Sequence, residues 1–215
     1  MAENEINESL KAQEEEKQVI SGDYAKETLG ILVIDVDEVR VDLPMPVTHG
    51  QIVDALVAKG PKEGYDAERW ALKAKMVADV TLTGSYDELA YAKAQKLIDI
   101  TEYDSSDNVN DFIFGGKHMW LDNAMRDKLA KRLDIDRKSG LSTTKIVYEY
   151  VSYELPIEQA EQMLLVLEQY ARDAFDKTNE HKAAVNALKS VAKVKAYDYT
   201  VGYPEKINFD EMFSE

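Results

Sequence analysis

Hydrophobic and polar positions change period several times along the chain, and each change predicts an element. "ILVIDVDEVRVDLPMP" (31–46) is β-branched and bounded by Gly30 and Pro44, which reads as one strand or as a tight hairpin turning near Asp37-Glu38. Thr48 and Gln51 form a capping-box pattern that opens a short helix with Ile52 and Leu56 facing inward, ended by Gly60-Pro61. Residues 66–80 and 85–100 read as two further amphipathic helices separated by Thr83-Gly84-Ser85, with Trp70 packed inside this module.

The stretch "YDSSDNVNDFIFGGKHMWLD" (103–122) gathers acids and amides in its first half and aromatics around a double glycine in its second. Tested as a calcium loop, it places Asp104, Ser106 and Asn108 at ligand positions. It fails because Val109 stands where glycine is required and Gly115 where the bidentate glutamate belongs. A turn capped by side-chain oxygens, followed by a β-hairpin folded at Gly115-Gly116, accounts for it better. Asp122 then caps a helix over about 122–137 with Met125, Leu129 and Leu133 on one face. Residues 143–156 predict a second β element, and Pro156 sits where a proline best opens a helix.

From Ile157 to Val201 there is neither Gly nor Pro, and apolar or small residues recur at alternating 4-3 spacing. That is a 3.5-residue period over more than four heptads, and a helix to about Leu188 would be roughly 50 Å long. Part of such a stripe packs on its own chain. The remainder points to another copy or another protein, with Leu164, Leu167, Ala171, Ala174, Thr178, His181 and Val185 as the expected interface of a dimer or trimer.

Residues 1–28 are glutamate-rich with a thin seam through Ile6, Leu10 and Ile20, which reads either as a solvated arm or as a helical arm that docks on a partner. The expected architecture is therefore α+β in four parts. These are an acidic arm (1–28), a small module of β elements and helices (29–100), a C-terminal α+β domain with two short β elements on a long helix (101–209), and a tail (210–215).

At 45% hydrophobic content, 215 residues are enough for a real core, or for two small ones. Forty-one acidic against 26 basic residues give a formal charge of −15, which works against nucleic acid and anionic membranes as partners. With no cysteine, disulfides, thiolate nucleophiles and cysteine metal sites are excluded. No apolar run is long enough for a transmembrane helix, and the acidic N-terminus is unlike a secretory peptide, so synthesis in the cytosol is expected.

Chemistry is sparsely signposted. His49, His118 and His181 are scattered over a cap, a strand and a helix stripe, and no nucleophile elbow, zinc-protease helix or glycosidase-like acid pair stands out. Asp35, Asp37 and Glu38 suit a solvated turn better than a cation. Tyr148, Tyr150 and Tyr153 form either a packed sheet edge or an aromatic face for a sugar or a protein. No catalytic residue, metal or cofactor is expected.

"YDSSDNVNDFIFGGKHMWLD", "TTKIVYEY", "AEQMLLVLEQYARDAFDKTNEHKAAVNAL" and "VKAYDYTVGYPEKINF", taken in this order over about residues 95–209, resemble an uncharacterised domain family of phages and prophages of gut bacteria. That family is encoded among tail-fibre and other appendage genes. It brings no catalytic residues, and Tyr148 stands where relatives often carry tryptophan. The resemblance implies a non-enzymatic virion protein, made in the host bacterial cytoplasm. Its role would be that of a component or adaptor of a tail or head fibre, which self-associates and anchors to another virion protein. A fibre-assembly chaperone or a carbohydrate-binding receptor module is the alternative.

Overall fold

The computed structural model describes residues 23–61, 64–120, 122–148 and 150–213. The expected seam of the acidic arm (Ile6, Leu10, Ile20) lies outside them. The fold is α+β, with small antiparallel sheets and one long helix. Its described residues fall into two compact units, divided between residues 95 and 96.

In the first unit, strands β1 (Ala25–Thr28), β2 (Ile31–Val36) and β3 (Val39–Pro44) form an antiparallel meander. β1 corrects the sequence expectation, because Ala25–Thr28 pair with Ile31–Ile34 as an edge strand and do not belong to the arm. The hairpin reading of 31–46 is the observed one. Asp37 and Glu38 make the turn at φ 47° and 64°, and Asp37 is held there by the Tyr65 hydroxyl at 3.0 Å and the Lys73 ammonium at 3.8 Å. Inward-facing Leu32, Ile34, Val36, Val39 and Val41 pack on helices α1 (His49–Lys59) and α2 (Ala67–Thr83). Thr48 and Gln51 complete the capping box, and Asp66 caps α2. Trp70 is almost wholly buried and donates its indole N–H to the Leu56 carbonyl at 2.8 Å, which satisfies the one polar atom it brings into the core. A side chain at Gly60 would collide with this indole.

Helix α3 (Glu88–Asp104) carries the division between the units. The second unit continues with the short α4 (Asp107–Asn110), hairpin β4–β5 (Phe112–Phe114, Lys117–Met119) and α5 (Asn123–Lys138). Hairpin β6–β7 (Thr143–Tyr148, Val151–Pro156) and the long α6 (Ile157–Ala187) follow. Gly115 and Gly116 turn the first hairpin at φ 62° and 69°, and Asp122 caps α5, both as the sequence predicts. A Cβ at Gly115 would also strike the Tyr153 ring, so this glycine answers to space as well as to conformation.

Two covers enclose the inner face of α6. Over its N-terminal half lies an apolar core of Phe112, Phe114, Met119, Leu129, Leu133 and Ile146. This core is completed from the chain's end by α8 (Phe209–Met212), whose Phe209 is fully buried. The stretch at 210–213 is therefore not a loose tail. The Asp210 carboxylate accepts the Gly115 and Gly116 N–H groups at 2.6 and 2.7 Å, and Phe213 stacks on Phe209. Over the C-terminal half lie α3, α7 (Val191–Ala196) and the irregular segment that follows α7. Here His181 meets the Tyr197 hydroxyl at 2.8 Å and the Val201 carbonyl at 2.9 Å, and Thr178 donates to Asp104 at 2.6 Å. The Val201 carbonyl can only accept, so Nε2–H donates to it, while Nδ1 pairs with the Tyr197 hydroxyl.

Candidate functional site

The seven residues expected to form an interface divide into two groups. Leu167, Ala174, Thr178, His181 and Val185 are buried by their own chain, and this corrects their assignment to a surface between copies. Alternating 3- and 4-residue spacing marks a helix face that is covered without saying by what, and here the cover is intramolecular. Leu164 and Ala171 are half-buried and lie on a different strip of α6, the flank turned toward α5.

At the helical repeat of 100° per residue, Glu161, Leu164, Leu165, Glu168, Ala171, Arg172 and Phe175 fall on this flank. It runs from an open depression between α5 and α6, lined by Ala130, Leu133, Leu164 and Leu165, to a second hollow at Phe175. Leu165 is 68% exposed and Phe175 62% exposed. Ion pairs Arg126–Glu168, at 2.9 Å, and Arg137–Glu161 cross between the helices along it.

The second hollow is a groove of about 300 Å³. Leu167, Ala171 and Ala174 of α6 line it with Val109 and Phe112, together with the exposed side chains of Trp120 and Phe175. Its polar edge comes from the end of α3 (Asp104, Ser105), from Asn110 and Asp111, and from the start of α5 (Asp122, Asn123, Arg126). Local bonding fixes several of these groups. Asn110 donates its amide to the Asp104 carbonyl, which leaves its own side-chain oxygen as an acceptor, and Tyr170 donates to the Val109 carbonyl at 2.6 Å. Burial, with the Asp111 carboxylate adding to it, raises the Tyr170 phenol above its ordinary value, so it stays a donor at neutral pH. Asp111 is largely enclosed, pairing with the Lys206 ammonium at 3.2 Å and with the His118 ring at 2.9 Å. Asp104 and Asp122 each use one oxygen, toward Thr178 and the Met125 N–H.

Tyr148, Tyr150 and Tyr153, read as either a packed sheet edge or a shared aromatic face, do not stand together as a face. Tyr150 stands at the β6–β7 turn, fully exposed at φ 68°, while Tyr148 accepts the Trp120 N–H through its hydroxyl and Tyr153 packs on Phe114. Residue 148 pairs with Val151 and residue 153 with Ile146, so Tyr148 and Tyr153 share the inner face while Tyr150 leaves it. The histidines are dispersed as the sequence implies, with His49 beside Asp79 at 3.1 Å, His118 on Asp111 and His181 in the helix cover.

No group of three or more His, Cys, Asp or Glu side chains able to hold a metal exists among the described residues, and no described helix is long and apolar enough to cross a membrane. Sequence reasoning missed Trp120 and Phe175 as groove residues. Their signal was weak: Phe175 is a large aromatic one position off the small-residue stripe, and Trp120 is more than fifty residues away from it in the chain. No family model, curated protein or solved structure matches the chain.

Proposed function

We propose that the chain is a non-enzymatic structural protein of a bacteriophage virion, a component or adaptor of a tail or head fibre that self-associates and anchors to another virion protein. The observation that carries self-association is the open flank of α6. Leu165 and Phe175 expose roughly two-thirds of their surface on it, and covering each contributes about 1–2 kcal/mol. The same strip holds Glu161, Glu168 and Arg172 beside Arg126 and Arg137. Both signs of charge are therefore present on it, whereas the chain as a whole is strongly acidic. A mixed strip can pair with its own copy about a two-fold axis without the repulsion that the rest of the surface imposes. The virion setting rests on the resemblance of residues 95–209 to the phage appendage family.

Light scattering on the purified chain and on Leu165→Glu tests the first part. A dimer or trimer that becomes a monomer with unchanged circular dichroism supports the reading, and a monomeric wild-type chain or an unaffected variant overturns it. Quantitative mass spectrometry of purified particles tests the second, because a fibre component is retained at fixed copy number and an assembly chaperone is absent.

A further inference from the structure

We infer that the groove lined by Trp120 and Phe175 is a binding site for a neutral saccharide. Its volume, about 300 Å³, sits at the lower end of the range of small-molecule pockets, roughly 300–1,000 Å³, which suits one or two sugar rings. A pyranose has two chemical faces to satisfy. Its axial C–H groups carry slight positive charge and pack on the electron-rich face of an aromatic ring, and Trp120, which lines the groove and is 43% exposed, is the ring available to it. Its hydroxyls are donors in need of acceptors.

The polar edge supplies acceptors. Among the described residues, Asp104 and Asp122 each retain one carboxylate oxygen without a hydrogen-bond partner, Asn110 retains its side-chain oxygen, and the exposed Asn123 amide is uncommitted. Asp111 differs, being already engaged by His118 and Lys206. Arg126, the cation on this edge, is paired with Glu168 at 2.9 Å, so a uronic or sialic acid would meet the like charge of Asp104 and Asp122. Phe175 belongs to both the groove and the flank, but Trp120, Asp122 and Asn123 lie off α6, so a failure of saccharide binding at their side of the groove would leave self-association through Leu165 standing.

Two tryptophans make the test direct. Trp70 is buried with its indole N–H bonded, so a ligand-dependent change in emission reports Trp120. The wild-type chain is titrated with the methyl glycosides of glucose, galactose, mannose and N-acetylglucosamine, with glucuronic acid as the anionic probe and N-acetyl-arginine amide as the cationic one. At least one neutral glycoside is expected to shift the emission and to show saturation transfer to its ring protons by NMR. Trp120→Ala, followed by NMR alone, is expected to weaken that binding about tenfold or more, and Asn123→Ala to weaken it with the Trp120 signal intact. Three results would overturn the inference: no response to any neutral glycoside, a response that Trp120→Ala leaves unchanged, or preference for the arginine or glucuronate probe.

Discussion

The two units solve the same problem, enclosing an apolar face, with different materials. In the N-terminal unit the cover is regular: alternating Leu32, Ile34 and Val36 on one strand and Val39 and Val41 on the next meet Ile52, Leu56, Trp70 and Val77 of two helices. In the C-terminal unit one helix of 31 residues is too long for any single layer. Its N-terminal half is closed by aromatics from a hairpin and from the chain's end, and its C-terminal half by hydroxyls and an imidazole on an irregular segment. The first arrangement seals its apolar layer, with the Thr81 hydroxyl the one buried side-chain polar atom left without a partner among the described residues. The second leaves a flank and a groove open, where exposed Leu165, Phe175 and Trp120 stand to gain from a partner or ligand. The proposed function is therefore read from the second unit.

The largest expected effect comes from Phe209→Ala. It empties the centre of the Phe112, Phe114 and Phe213 cluster and is expected to cost about 3–5 kcal/mol. Hydrogen exchange should show the loss confined to residues 96–215, and equal loss in residues 23–95 would break the comparison.

Next is His181→Leu, which keeps volume but strands the Tyr197 hydroxyl and the Val201 carbonyl, a cost of about 2 kcal/mol in chemical denaturation. A neutral outcome would mean that the polar cover of α6 is ornamental and that packing alone closes it.

A smaller effect belongs to the other unit. Thr48→Ala removes the capping box of α1 and should cost about 1 kcal/mol, seen as faster exchange in α1 only. Smallest is Tyr150→Asn. Asparagine tolerates the left-handed conformation that Tyr150 adopts with its side chain in solvent, so a gain of about 0.5 kcal/mol is expected in thermal unfolding. A loss instead would reveal a contact for that ring.

Much of this architecture was legible locally. Gly115-Gly116, the Thr48–Gln51 box, Asp122 and Pro156 act within a few residues of themselves, so turn and cap chemistry named their elements. The seam from Ala160 to Val185 was legible as a buried helix face, but a period states only that something covers it. The cover proved to be Tyr197, Val201 and Tyr203, in a stretch with no repeating pattern, which is why the sequence pointed to a second copy. Phe209 escaped for a related reason, since a single aromatic near the chain's end carries no period. The groove was out of reach altogether, because Asp104, Trp120 and Phe175 are joined only by the packing of three elements on α6.

Self-association through the open flank is the central claim, and the absence of cysteine allows it to be measured directly. Arg172→Cys introduces a single thiol on the flank for a spin label, and pulsed electron resonance then reports distances between copies. The account predicts a defined intermolecular distance that vanishes in the Arg172→Cys, Leu165→Glu double variant. A labelled chain that shows no dipolar coupling between copies, or coupling unchanged by Leu165→Glu, would contradict it.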